Sequence, residues 1–226
     1  MRALLPEPAD DVDLRAAYAV PAGNGVFVRC NMISSFDGAI TVAGRSGELG
    51  GPADREVFNV LRSLADVILV GAGTMRTEGY GPAQGPHPAP IAVVTKSCQF
   101  DWSSPFFTEA KATPIIITAA ESHPRRRDVP ADVIVAGDDE VDFAVALAAL
   151  RDRGFASVLL EGGPRLNDHI VAAGLLDEMC LTLSPRLAAG DGPRVLAGEL
   201  PHPLAVDVVQ LLEEDGFLFS RLRVRR

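Results

Sequence analysis

The hydrophobic residues of the chain recur at two spacings that alternate along its length. Continuous apolar runs of about four to eight residues, bounded by Gly or Pro, predict buried parallel strands. Such runs occupy residues 26–33, 39–42, 65–70, 91–95, 114–118, 132–135 and 157–160, and an Asp37-Gly38 turn separates the first two. Apolar residues three and four apart predict helices from Pro52 onward, over 141–150 and over 165–173.

The C-terminal part of the chain alternates apolar and polar residues, as half-buried strands do. Segments 178–183, 205–212 and 217–224 follow this alternation, and Glu214-Asp215-Gly216 supplies a tight turn between the last two. This order of elements predicts an α/β fold with a mostly parallel central sheet and a C-terminal antiparallel hairpin. We expect one domain over residues 1–226, with 1–24 as an N-terminal extension, and ligands beyond the carboxyl ends of the parallel strands.

The composition and net charge of the chain exclude some classes of protein function. The chain has 226 residues, 47% hydrophobic and 23% charged, so it can bury a sizeable core. The 30 Asp and Glu residues against 21 Lys and Arg give a net charge of −9, which provides no general attraction for nucleic acid or anionic lipid. Three separated cysteines, no apolar run of about 20 residues and no signal pattern at the N-terminus predict a cytoplasmic protein without nucleic-acid or membrane partners.

Several common kinds of site are excluded because their motifs are missing from the sequence. There is no GxxxxGKS/T loop for a nucleoside triphosphate and no GxSxG turn for a serine nucleophile. The four histidines have no metal-ligand spacing among themselves or with cysteine. We therefore expect no metal site.

Three segments place polar or small residues at the carboxyl end of a predicted strand. Residues 31–38 run from a strand into the Asp37-Gly38 turn. Residues 70–78 follow a buried strand with small residues, but Arg76 stands where a dinucleotide fingerprint has its third Gly, so tight packing explains this segment equally well. Residues 159–167 place Glu161 after a buried strand and before two glycines and a helix start. That arrangement predicts a carboxylate beside the phosphates of a dinucleotide.

In order along the chain, these segments resemble the pyrimidine reductase domain of the riboflavin-biosynthesis family. The matching motifs are S-x-D-G at 35–38, G-x-G-T at 71–74 with Glu78 four positions after the Thr, and E-G-G-x-x-L at 161–166. The resemblance covers almost the whole chain from Phe27. It implies a three-layer fold like that of dihydrofolate reductase, in a stand-alone homodimeric reductase without the deaminase domain. The implied reaction is the NADPH-dependent reduction of a ribosylamino-pyrimidine 5′-phosphate to the ribitylamino compound.

The resemblance also implies a set of site residues. The reduction needs a proton as well as a hydride, and Asp37 and Glu161 are the candidate catalytic carboxylates. Glu161 and Asn31 are expected at the substrate, with Ser46 and Arg62 at its phosphate, although an alternative for Arg62 is a surface pair with Asp66. The residues expected at NADPH are Ile33, Ser34, Gly73, Thr74, Glu78, Ser97, Gly162, Gly163, Pro164, Arg165, Leu166 and Asn167.

The sequence departs from the family pattern in ways that leave alternatives open. Fused family members commonly have Lys where this chain has Asn31, and the irregular segment 79–90 lacks a further Arg that they carry. The 2′-phosphate of NADPH has three candidate partners, Arg76, Arg165 and Lys96. A reductase acting on dihydrofolate or another pterin is a second candidate, with Asp37 or Glu161 orienting the ring. A non-catalytic NADPH-binding protein is a third.

Overall fold

All strands found in the described residues join one sheet. The computed structural model of the protein describes residues 1–23, 25–123 and 128–225. The strands are β1 (Arg2–Leu5), β2 (Phe27–Ser35), β3 (Val67–Gly71), β4 (Ile91–Val94), β5 (Ile115–Thr118), β6 (Asp132–Val135), β7 (Ser157–Leu160), β8 (Glu178–Ser184), β9 (Val206–Glu214) and β10 (Phe217–Val224). The helices are α1 (Leu14–Ala17), α2 (Pro52–Ser63), α3 (Ala72–Glu78), α4 (Pro105–Thr108), α5 (Phe143–Asp152) and α6 (Pro164–Ala172), with a 3₁₀ turn at Ala120–Ser122.

The sheet has a parallel part and an antiparallel part. The spatial order is β1-β9-β10-β8-β2-β7-β3-β4-β5-β6. Strands from β8 to β6 in this order pair parallel, whereas β8 with β10, β10 with β9 and β9 with β1 pair antiparallel. The predicted parallel sheet with a C-terminal hairpin is therefore confirmed. Every predicted strand except 39–42 lies within two residues of an observed one.

One prediction about an individual segment is wrong. Residues 39–42 form no strand, because the Ser35 N–H donates to the Ala39 carbonyl at 2.8 Å and the Ile40 N–H donates to the Pro193 carbonyl at 3.0 Å. The N-terminal segment, predicted as an extension, packs against the rest of the chain. Its strand β1 pairs with β9 at the edge of the sheet, and Tyr18, just after α1, is 1% exposed.

Helices cover both faces of the parallel sheet. Along β3, Val67 and Leu69 pack in a cluster with α5 and α6, whereas the alternate residues Ile68 and Val70 pack with α3 and α4. This alternation is what a pleated strand buried on both faces requires. The result is the three-layer arrangement that was predicted. None of the helices in the described part of the chain is long and apolar enough to cross a membrane.

The aromatic residues of the C-terminal hairpin belong to the core of this chain. Phe217 is 8% exposed and Phe219 is 1% exposed, and both pack in a cluster with Val57 and Leu61 of α2. Because these rings are already covered, they do not themselves form a surface for a second subunit. The expected homodimer thus stays a prediction without support from these two residues.

Candidate active site

A cleft of about 1610 Å³ lies where β2, β3, β4 and β7 end, and α2, α3 and α6 also border it. This is the edge at which ligands collect in parallel sheets, because successive connections diverge there. The volume is sufficient for a dinucleotide together with a small substrate. The sequence-predicted site residues that line it are Asn31, Ile33, Ser46, Gly73, Thr74, Glu78, Ser97, Glu161, Gly163, Pro164, Arg165 and Leu166.

Two glycine-bearing turns form one wall of the cleft. The Gly71 N–H donates to the Gly162 carbonyl at 2.7 Å, which joins the turn after β3 to the turn after β7. A Cβ atom added at Gly163 would lie 2.5 Å from Thr74 Oγ1, so only glycine permits this approach. Helix α6 begins at Pro164 with no side chain capping its N-terminus, and its first turn borders the cleft. Its free N–H groups suit an anionic ligand.

Glu161 lies beside this wall in a buried group of three side chains. The Arg62 guanidinium donates from Nε to Glu161 Oε1 and from Nη2 to Oε2, both at 2.7 Å. The Tyr80 hydroxyl donates to Oε2 at 2.6 Å. The Glu161 side chain is 3% exposed and that of Arg62 is 31% exposed. Because Asp66 instead accepts the N–H groups of residues 156 and 157, each at 2.8 Å, the alternative pairing of Arg62 with Asp66 is wrong.

Burial and the charges of this group determine the protonation states of Tyr80 and Arg62. Burial is the main cause that raises the pKa of Tyr80 well above its ordinary value, and the charge of Glu161 adds to it. Tyr80 therefore keeps its proton and acts as a donor. Burial lowers the pKa of Arg62, but its hydrogen bonds and charge attraction to Glu161 outweigh that effect and raise it. The guanidinium stays charged, and both of its bonds hold the carboxylate in one orientation.

Comparison with known proteins agrees with this geometry. Residues 26–213 match the RibD C-terminal domain family. The chain belongs to this family. It is 31% identical over 180 residues to the 2,5-diamino-6-ribosylamino-4(3H)-pyrimidinone 5′-phosphate reductase of Methanothermobacter thermautotrophicus, covering 75% of this chain and 82% of the relative. The reductase of the same name from Aquifex aeolicus is 32% identical over 181 residues, covering 73% and 80%.

A solved structure shows the same fold as this RibD C-terminal domain. A pyrimidine reductase-like protein from Corynebacterium diphtheriae superposes with a TM-score of 0.75 at 27% sequence identity. The superposition covers 89% of this chain and 92% of that protein. The fold predicted from the three motifs is therefore confirmed.

Three predicted cofactor residues of the RibD C-terminal domain do not border the cleft. Asn167 is fully buried, and its side-chain amide donates to the Val195 carbonyl at 3.0 Å. Ser34 is buried on the face of β2 opposite to Ile33, because successive residues of a strand alternate between faces, and it borders a smaller cleft of about 560 Å³. Gly162 contributes its carbonyl to the bond with Gly71.

Asp37, the other predicted catalytic carboxylate, is not brought together with Glu161. It is exposed, and it accepts hydrogen bonds from the Ser35 hydroxyl at 2.5 Å and from the N–H groups of Ala188 at 3.0 Å and Ala189 at 2.7 Å. These bonds, led by the one from Ser35, lower the pKa of Asp37 to about 2. The arrangement connects the turn after β2 to the loop after β8, and a catalytic role of Asp37 stays a prediction.

We expect Asp37→Asn to lower the melting temperature at neutral pH. The three hydrogen bonds favour the charged carboxylate, so its pKa lies below the ordinary value of about 3.9 for Asp. Their stabilisation is present above about pH 4 and is lost as the pH falls toward 2. Thermal unfolding of both proteins between pH 7 and pH 2 should therefore show the gap closing. A large fall in kcat with no change in stability would instead return Asp37 to a catalytic role.

Two residues in the cleft were not found from the sequence. Tyr80 lies in the irregular segment after α3, where nothing in the local pattern links it to Glu161, 81 positions away. Asp54 lies in the first turn of α2, where an acidic residue is ordinarily explained by the helix dipole. Spacing on α2 offers the only usable signal, because Asp54, Phe58 and Arg62 are each four residues apart and so share one face.

The loop after the turn of β2 is attached to α3 at the cleft. The Ser46 N–H donates to Glu78 Oε1 at 3.0 Å. Both residues border the cleft, so the predicted phosphate-binding residue and the predicted cofactor-binding residue contact each other directly. Glu78 thereby holds the Ser46 loop against the cofactor side of the site.

Proposed function

We propose that the protein is an NADPH-dependent reductase that acts in riboflavin biosynthesis. Its substrate is the 2,5-diamino-6-ribosylamino-4(3H)-pyrimidinone 5′-phosphate that the archaeal and Aquifex relatives are named for, and its product is the ribitylamino compound. The observation that carries this proposal is a buried carboxylate, Glu161, placed directly beside a glycine wall that accepts a dinucleotide. Membership of the RibD C-terminal domain family supports it.

The residues on the cofactor side suit NADPH. When bound, the cofactor supplies a hydride, and the protein supplies position and charge. The uncapped first turn of α6 and the small residues at Gly73 and Gly163 leave room and N–H donors for the pyrophosphate. Arg76 and Arg165 are exposed at the same cleft and are the groups we assign to the 2′-phosphate. Lys96 is already paired with Glu140 at 2.5 Å.

The chemistry at the ribose determines what Glu161 must do. A C–H bond forms at C1′, the bond from C1′ to the ring oxygen breaks, and that oxygen takes up one proton. One NADPH and one proton are thus consumed in each turnover. Glu161 lines the cleft, and the hydrogen bonds from Arg62 and Tyr80 hold its carboxylate in one orientation. We assign it the orientation of the sugar during opening and proton uptake.

The substrate phosphate is assigned to Arg62 and Ser46. Arg62 uses Nε and Nη2 for Glu161, and a side-chain hydrogen bond with Tyr80 adds to this attachment. The guanidinium also lies over the rings of Phe58 at 4.2 Å and Tyr80 at 5.4 Å, so its position is fixed. One arginine can then hold the Glu161 carboxylate and donate a hydrogen bond to a phosphate oxygen at the same time.

Arg62→Ala is expected to raise KM for the phosphorylated substrate by about 10²-fold, because a charged hydrogen bond is lost. The measurement compares KM for the substrate and for its dephosphorylated counterpart in both proteins. The preference for the phosphorylated compound should disappear in the variant. Arg151→Ala, on the exposed end of α5, is the matched control. If the variant keeps the full preference, the phosphate is held elsewhere.

The overall function is tested by following NADPH oxidation in the presence of each candidate substrate. We expect turnover with the ribosylamino-pyrimidine 5′-phosphate and formation of the ribitylamino product, identified by mass spectrometry. NADH should be a poorer donor, because it has no 2′-phosphate for Arg76 and Arg165. Turnover with dihydrofolate alone would instead show a pterin reductase. Binding of NADPH without turnover on either compound would show a non-catalytic protein.

A further inference from the structure

Two oppositely charged side chains, Lys96 and Glu140, meet at the border of the cleft. Lys96 follows the end of β4, and Glu140 lies in the loop between β6 and α5. Lys96 Nζ donates to Glu140 Oε1 at 2.5 Å, and both residues line the cleft. The neighbouring acid Asp139 does not line it. The proposed reaction gives the Glu140 carboxylate no role.

The order of the strands places this pair at the adenosine end of the cofactor. The nicotinamide must reach the sugar beside Glu161, which follows β7, and the pyrophosphate suits the glycine wall formed after β3 and β7. Strand β4 lies next to β3 on the side away from β7, and adjacent strands are about 4.8 Å apart. The adenosine half therefore extends past β3 toward Lys96 and Glu140.

Helix α6 brings one of the groups assigned to the 2′-phosphate to the same place. Phe143, three residues after Glu140, stacks on His169 of α6 with ring centroids 5.6 Å apart. The hydrogen bond and the charge of Lys96 lower the pKa of Glu140, and an electrostatic interaction with His169 adds to this. Arg165 lies four residues before His169, so the two share one face of α6, and both line the cleft. Glu140 is thus close to the part of the cleft that Arg165 borders.

A carboxylate and a cation at this place favour different cofactors. In dinucleotide sites, an acidic side chain accepts a hydrogen bond from the ribose 2′-hydroxyl of NADH, whereas an arginine accommodates the 2′-phosphate of NADPH. An unpaired Glu140 would repel the phosphate that Arg76 and Arg165 attract. Because Lys96 neutralises Glu140, the pairing removes this repulsion.

We propose that Lys96 determines cofactor specificity through Glu140. By pairing with it, Lys96 prevents an acidic group that selects NADH from acting, and so allows NADPH to bind. This inference rests on the proposed reductase function and names the residues that control the choice of its cofactor. Lys96 is a positioning residue in this role, and no contact between Lys96 and the phosphate is required.

The test compares kcat/KM for NADPH with that for NADH in single and double variants. In Lys96→Met the carboxylate loses its partner, and we expect the preference for NADPH to fall by about 10-fold. When Glu140→Gln is added to Lys96→Met, both charges are absent, so the preference should return close to that of the wild type. Lys96→Met combined with Asp139→Asn has the same net charge and is the matched control, in which the preference should stay low.

Ionic strength provides a second readout that a purely structural role of Lys96 would not change. Because both side chains are exposed, the loss of preference in Lys96→Met should shrink as the salt concentration rises. An unchanged preference in Lys96→Met would overturn the role of the pair. If the variant without both charges stays as low as Lys96→Met, Lys96 contacts the 2′-phosphate directly and the inference about Glu140 is wrong.

Binding of cofactor fragments tests the same inference without turnover. Adenosine 2′,5′-bisphosphate and 5′-AMP differ only in the 2′-phosphate. Titration should show preference for the first in the wild type, a weaker preference in Lys96→Met, and recovery when Glu140→Gln is added. If the wild type oxidises neither NADPH nor NADH with the pyrimidine substrate, the proposed reaction fails, and this titration still decides the role of Lys96. A wild type without preference between the two fragments would overturn the inference.

Discussion

Replacement of Glu161 by Gln is expected to lower kcat/KM by about 10³-fold, since a positioned acid–base or charge-stabilising group contributes rate factors of this size. The amide keeps the volume of the side chain but can no longer accept hydrogen bonds at both positions from Arg62 and Tyr80. The guanidinium then faces a neutral amide, and the group at the sugar loses both charge and orientation. The loss should fall on kcat more than on KM.

The control variant for this prediction is Tyr80→Phe. It removes one hydrogen bond to the same carboxylate and leaves the charge pair intact, so we expect a loss of about 10-fold. The dissociation constant for NADPH, measured by titration of tryptophan fluorescence, should stay unchanged in both variants. If Glu161→Gln retains most of the wild-type kcat, then the pair with Arg62 supports the fold and does not act on the substrate.

A second buried carboxylate, Glu178, shows why the role proposed for Glu161 depends on where in the sheet the residue lies. Glu178, at the start of β8, accepts from Arg29 at 2.7 Å and from Arg221 at 2.8 Å, and its side chain is 1% exposed. Burial alone would raise the pKa of Glu178. The hydrogen bonds and charges of Arg221 and Arg29 outweigh this effect, so the pKa lies below its ordinary value. Glu178 lies at the amino end of a parallel strand, whereas Glu161 follows the carboxyl end of β7. Only the second end opens onto the cleft, so Glu161 is placed to meet a ligand there and Glu178 is not.

The sheet was predictable because each parallel strand is a short apolar run that can be recognised from neighbouring residues in the sequence. Runs such as 67–71 and 158–160 are apolar throughout, as strands buried on both faces must be. Residues 39–42 have the same composition but no neighbouring strand to pair with. The Ile40 N–H donates to the Pro193 carbonyl, which is distant in sequence, and such a partner leaves no local pattern.

The site was predictable only in part, for a related reason. Glu161 was found because an ionisable residue rarely follows a buried strand without a function. Asp37 was predicted as a second catalytic carboxylate, but the hydrogen bonds that hold it away from Glu161 come from Ala188 and Ala189, 151 and 152 positions away. Tyr80 was missed because its contact with Glu161 depends on how α3 packs after β3. Contacts between residues distant in sequence form only when the sheet is assembled, so the local pattern of residue types does not predict them.

Gly163→Ala is expected to destabilise the protein by about 1–3 kcal/mol and to raise the dissociation constant for NADPH by about 10²-fold. The added Cβ would lie 2.5 Å from Thr74 Oγ1, so the turns after β3 and β7 must move apart. Thermal unfolding and NADPH titration measure the two effects. Gly73→Ala adds the same methyl group to the same wall with no atom within 4 Å, so its melting temperature should not fall.

A double variant decides whether the clash with Thr74 is the cause. In Gly163→Ala combined with Thr74→Ala, Oγ1 is absent, and the nearest remaining atom of residue 74 is its Cβ at 3.9 Å, an ordinary contact. Stability should therefore recover almost completely. NADPH affinity should recover less if the Thr74 hydroxyl also contacts the cofactor. Should the double variant be as unstable as Gly163→Ala alone, the close approach of the two turns would not explain the glycine. If the dissociation constant for NADPH is unchanged in both Gly163→Ala and the double variant, the cofactor does not lie against this wall.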